Sequence, residues 1–189
     1  SYTFYAVRSF DNVLTVTGSA KTRVTSDSVK WTVTLTRKVT EAGVSGGYAQ
    51  MDRDLVALQD FLRTNSVLDE DVTTTPVFLE EIFRYDDYAG PREFNLRQNV
   101  VIQSADVTQV DALSKSVSEL SSKGILVTGN WLEFYVTKLP ELRVSLLADA
   151  VTDARARAEQ IAVAGGQSVG NLKAASSGVV QVLAPNSIE

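Results

Sequence analysis

The chain has 189 residues, 44% hydrophobic and 22% charged, with a formal net charge of −5; this is ordinary globular composition, long enough to bury a sizeable core. It contains no Cys and no His, which excludes thiol chemistry, disulfides, Cys/His zinc sites, imidazole general bases and the Ser-His-Asp triad. The 18 Lys and Arg are scattered without a basic run, so nucleic acid is not an expected partner, and no apolar stretch reaches the roughly 18 residues of a membrane span.

The sequence starts at Ser1 rather than Met, and Tyr2, Phe4, Tyr5, Val7 and Phe10 make its start unusually apolar. Residues 1–12 are therefore expected to be an N-terminal arm that follows a removed signal or membrane segment, with residues 13–189 forming one domain. Residues 13–24 read as a strand, with Leu14, Val16 and Ala20 on one face. Thr25-Ser26-Asp27-Ser28 is a turn. Residues 28–40 alternate cleanly: Val29, Trp31, Val33 and Leu35 against Lys30, Thr32, Thr34 and Thr36. A period of two predicts a half-buried antiparallel strand.

From about 42 to 64 the period changes. Val44, Tyr48, Met51, Leu55, Leu58 and Leu62 form the stripe of an amphipathic helix, whose first turns Gly46 and Gly47 weaken. Residues 65–76 read as a connection, 77–85 as a strand, 86–91 as a hairpin loop and 93–103 as an alternating strand with Phe94, Leu96, Val100 and Ile102 inward. A second helix is predicted over 106–123, with Val107, Val110, Leu113, Val117 and Leu120 inward and Gly124 at the left-handed cap. A strand over 125–137 puts Leu132, Phe134 and Val136 on one face and Trp131 and Tyr135 on the other. Pro140 opens a third helix buried along Leu147, Ala150, Ala154, Ala158 and Ile161, with solvated pairs Asp153–Arg157 and Arg155–Glu159. A last strand is predicted near 176–183. This order predicts an α+β fold: a largely antiparallel sheet with about three helices on one face and two related strand-helix-strand halves.

Few residues invite chemistry. Asp69-Glu70-Asp71, Glu80-Glu81 and Asp86-Asp87 lack the spacing of a calcium loop and read as solvated surface. Gly165, Gly166 and Gly170 follow a helix instead of preceding one, so they read as a helix stop and not as a phosphate cradle. No cofactor and no metal site is expected. The strand 77–85 is apolar on both faces: Val77, Leu79 and Phe83 alternate with Phe78 and Ile82. Such a strand is covered on both sides, either by the domain's own helices or by another subunit. Phe78, Ile82 and Phe83, with Tyr85 and Tyr88 beside them, are the candidate interface residues.

Three stretches in order, Leu14 to Asp27, Asp71 to Leu79 and Ala148 to Leu172, resemble the SIMPL domain family. The shared features are a V-T-G strand containing Gly18, a turn containing Asp27, a D-x-x-T segment, and a late signature of small residues. That signature falls on Asp153, Ala154, Ala158, Ala162, Gly166 and Gly170. Ser26 stands where the family usually has Pro. The family also carries a further C-terminal strand, so the last sheet edge is expected to be incomplete. The resemblance implies an exported or singly membrane-anchored protein of the bacterial envelope. It also implies a homo-oligomer, links to oxidative stress, and no catalytic residue.

The expectation is a non-enzymatic, extracytoplasmic assembly whose partner is a second copy of itself and which meets the membrane only through a segment outside this chain. The alternative is a small-ligand or carboxylate-based metal-binding module. The late alanines and glycines read as a packing and chain-reversal device.

Overall fold

The alternation of residues 28–40 is realised as the central strand of a five-stranded antiparallel sheet in a computed structural model that describes residues 14–85, 88–178 and 180. The strands are β1 (Ser28–Thr40), β2 (Val72–Thr74), β3 (Phe78–Ile82), β4 (Glu93–Ser104) and β5 (Val127–Tyr135). The helices are α1 (Val44–Thr64), α2 (Val107–Ser116), the single turn α3 (Glu119–Ser122) and α4 (Leu139–Ala164). The described chain divides into two compact units, residues 25–137 and residues 14–24 with 138–180.

In the first unit β1 pairs with β4 on one side and β5 on the other, and β2 and β3 lie end to end along the far edge of β4. The order β1-α1-β2/β3-β4-α2-β5 is a split βαβ arrangement of the ferredoxin-like kind. It realises the two strand-helix-strand halves and the α+β class. Val29, Trp31, Val33 and Leu35 are fully buried with Leu96, Val100 and Ile102 of β4. Met51, Leu58 and Leu62 of α1 and Val110 and Leu113 of α2 join them in one core. Trp31 Nε1 donates to Asn130 Oδ1 at 2.7 Å, and Asn130 Nδ2 donates to the Ser114 carbonyl at 2.8 Å, so the one polar atom of the buried indole is satisfied.

The buried face of α1 is Gly47, Met51, Asp54, Leu58 and Leu62. It is rotated from the expected stripe, so Tyr48 is exposed and an aspartate sits in the middle of the face. Asp54 is tolerated there because Arg37 of β1 reaches it with a two-pronged contact, Nε to Oδ2 at 2.6 Å and Nη2 to Oδ1 at 2.8 Å. The same Nη2 donates to the Gly124 carbonyl at 2.8 Å. Gly47 allows the helix to approach the sheet: a Cβ there would meet Leu96 Cδ1 and Val39 Cγ1, each at 2.6 Å.

Other elements depart from expectation for local reasons. The helix predicted over 106–123 breaks after Ser116, where serine hydroxyls compete for backbone carbonyls; Ser114 Oγ donates to the Asp111 carbonyl and Ser122 Oγ to that of Glu119. Gly124 takes the expected left-handed conformation, at φ 78°. The connection 65–76 contains β2, a strand too short for a period to show. Residues 14–24 form no strand. A hairpin with β1 is closed to them because both edges of β1 are occupied, although Val16 and Ala20 keep their half-buried alternation.

In the second unit α4 has Pro140 in its first turn and Ala158 as its one buried residue. Its first half-buried residues are Leu139, Leu142 and Leu146, the last one position before the expected Leu147, which is exposed. Beyond it the chain leaves the helix at Gly166, φ 70°. Gln167 N donates to the Ala162 carbonyl at 2.7 Å and Gly166 N to that of Val163 at 3.0 Å, a Schellman stop. No strand forms over 165–178 or at 180; the rest of the strand predicted near 176–183, and the arm 1–12, lie outside the described residues.

The Asp54 side chain is 3% exposed and that of Arg37 is 26% exposed. Arg37→Ala strands a buried carboxylate and is expected to cost about 3–5 kcal/mol. Asp54→Ala leaves a guanidinium that already reaches water and is expected to cost less. Urea midpoints read the order directly, and the reverse order would contradict this account.

Candidate functional site

The first part of the late signature, Asp153 and Ala154, meets Gly18 and Ser19 within the second unit. Asp153 was expected on the solvated side of α4; instead its Oδ2 accepts the Ser19 backbone N–H at 2.9 Å, while it also pairs with Arg157 at 3.0 Å. Immediately before Ser19, Gly18 lies directly on the helix backbone. A Cβ at Gly18 would collide with the Ala150 carbonyl and would come within 2.8 Å of the Ala154 Cβ. Glycine on the segment and alanine on the helix are therefore two halves of one close approach. Charge-assisted hydrogen bonding to the Ser19 amide, with Arg157 second, holds the Asp153 carboxyl below the usual aspartate range. Ala154 and Ala162 are half-buried. Gly170 has open space around it.

Asp27 acts within the sheet unit. Its amide donates to the Tyr135 carbonyl at 3.0 Å. Its carboxylate accepts from Thr137 N and Thr137 Oγ1, both at 2.8 Å. The residue tied down here is the last one of the sheet unit before Lys138.

The candidate interface residues are brought together on the β3–β4 hairpin. Val77 packs against the core, and Ile82 is half-buried. The other apolar side chains are open: Phe78 is 58% exposed, Phe83 73%, and Leu79, Tyr85 and Tyr88 are exposed too. Neither row of the strand is covered by the chain's own helices to the extent its composition calls for.

Beneath these side chains the hairpin is braced by ions. Arg92 forks onto Glu81 with both contacts at 2.8 Å. Arg84 and Lys38 converge on Glu93 at 2.7 and 3.1 Å, and Arg97 meets Glu80 at 3.4 Å. The Arg84 guanidinium also sits 4.3 Å from the centre of the Tyr88 ring. The Arg92 hydrogen bonds depress the Glu81 carboxyl, and those from Lys38 and then Arg84 depress that of Glu93. The acidic clusters thus contain bracing ion pairs, a role that alternation alone does not reveal. Asp69 pairs with Arg63 at 3.0 Å, and Asp86 and Asp87 lie outside the described residues.

Residues 14–187 match the family model SIMPL, described as a protein of unknown function (DUF541). The match spans both compact units. No curated protein matches the chain. No helix among the described residues is long and apolar enough to cross a membrane.

Two outcomes follow. Gly18→Val is expected to lift residues 14–24 from α4, seen as faster hydrogen exchange at Ser19 and faster tryptic cleavage after Arg23, while the β1 amides keep their protection; unchanged exchange at Ser19 would refute the close approach. The second concerns acid. Folded values below the unfolded ones mean that Glu81, Glu93 and Asp153 contribute stability in full above pH of about 5, and lose it as pH falls through their folded values. Carbon-detected titration should place all three carboxyls below the ordinary range, and Arg92→Gln should return Glu81 to it.

Proposed function

The chain belongs to the SIMPL family, and from that premise we propose that it is a non-catalytic protein of the bacterial cell envelope that works as a homo-oligomer, with the β3–β4 hairpin supplying a subunit contact. The observation that carries the contact is the set of large apolar side chains left open on the two faces of one strand and just beyond it, Phe78, Leu79 and Phe83, on a hairpin that ion pairs already hold in shape. Large apolar side chains left open together at one edge favour an interaction site. Pre-ordering lowers the entropy lost when a partner covers it. The extracytoplasmic placement rests on the family resemblance, as does a role in resisting oxidative stress. The non-catalytic reading rests on a sequence without His or Cys.

Because Phe83 is open to solvent, Phe83→Glu should leave the circular dichroism spectrum unchanged. Light scattering after size exclusion is expected to give a multiple of the chain mass for the parent and one chain for the variant. A monomeric parent, or a variant that keeps the parent's mass, would overturn the assignment.

A further inference from the structure

Away from the hairpin, the same edge of the sheet is formed by β2. It pairs with β4 on one side, and no other described strand lies on its outer side. Thr75 N donates to the Asn99 carbonyl at 2.9 Å, so residue 75 turns its backbone groups toward β4. These groups alternate along an antiparallel strand. Thr73 therefore also faces β4, while the Thr74 N–H and carbonyl and the Val72 carbonyl point outward. The Val72 N–H is taken by the Asp69 carbonyl in the preceding turn. The side chains of Val72 and Thr74 stand opposite Ile102 and Val100, on the helix-covered face. There Gln59, Leu62 and Arg63, spaced as one face of α1, enclose a crevice of about 190 Å³ with Asp69, Val72 and Thr74. Pockets for drug-sized ligands start at roughly 300 Å³, so this crevice suits one side chain and not a cofactor.

We infer that this crevice is a peptide-docking groove, in which an extended basic segment of another protein adds to β2 and seats one branched apolar side chain against Leu62 and Val72. In strand addition the main chain supplies affinity, and a pocket beside the edge reads alternate side chains. Charge fixes the sign of the partner. Between residues 59 and 74 the chain carries Asp60, Asp69, Glu70 and Asp71 against a single cation, Arg63. That guanidinium is already engaged, by Asp60 at 3.5 Å and Asp69 at 3.0 Å. The surplus is negative, and Asp60, Asp69 and Glu70 are exposed. Lys or Arg flanking the apolar residue complements this rim, whereas an acidic segment is repelled. With three residues, β2 is too short to template open-ended sheet growth, yet it offers enough outward groups to set the register of one segment.

Heptapeptides selected from a random displayed library on the intact chain test this. The selected sequences are expected to share one Val, Ile or Leu flanked by Lys or Arg. A fluorescein-labelled peptide of that consensus should shift the amide resonances of Val72, Thr74 and residues 59–63, and leave those of the β3–β4 hairpin in place. Thr74→Pro removes an outward N–H without touching the ladder to β4, and should weaken binding about fivefold, the worth of one hydrogen bond. Asp60→Lys combined with Glu70→Lys should weaken it about tenfold by anisotropy. Should Thr74→Pro fail to fold, Gln59→Trp, which fills the crevice from the helix side, decides in its place and should abolish binding. An absent or acidic consensus overturns the groove, as does a peptide that binds the folded variants as tightly as the parent or shifts the hairpin amides instead.

Discussion

Asp54 places a carboxylate in the middle of the apolar face of α1, and Arg37 is what makes that placement tolerable. An unpaired carboxylate at such a position costs several kcal/mol. The helix therefore cannot settle on the sheet at any azimuth or height except the one that brings Asp54 to the guanidinium. Apolar side chains alone would let the helix slide by a turn with modest loss, since leucine and methionine accept many neighbours. The same guanidinium binds the Gly124 carbonyl at the turn into β5. One side chain thus ties the central strand, the first helix and the entry to the last strand, and the apolar core fills in around that fixed point.

How much of this was legible in the sequence depends on the kind of signal each element carries. The boundaries of β1 follow from alternation sustained over its whole length, and those of β4 nearly so. The stripe of α1 is displaced because a periodicity reading assigns every charge to the wet side and so passes over Asp54. Gly47 reads as a helix weakener when only propensity is considered; its reason is steric and exists only once Leu96 and Val39 are in place. Residues 14–24 have the alternation of a strand, but a strand also needs a vacant edge, and vacancy belongs to the topology, not to any local window. The exposure of both rows on β3 was legible as a conflict between composition and available cover. The ion pairs that brace the hairpin were not, because they join residues on different strands.

The family signature is likewise a packing statement. Gly18, Ala150 and Ala154 are small because two backbones meet there, and Asp153 is acidic because an amide of the 14–24 segment needs an acceptor. Ala150 and Ala154, one turn apart on α4, are the pair that this close approach requires, which explains small residues there without any reactive group.

Asp27 and Thr137 have a topological meaning beyond their hydrogen bonds. They stand near the first and last residues of the sheet unit, and their contact at 2.8 Å means that the unit's two ends emerge side by side. In the language of modular architecture, residues 25–137 are a closed cassette with a single port. A graft into another protein would need only a loop of a few residues to bridge such a port, and the entropy of closing so short a loop is small.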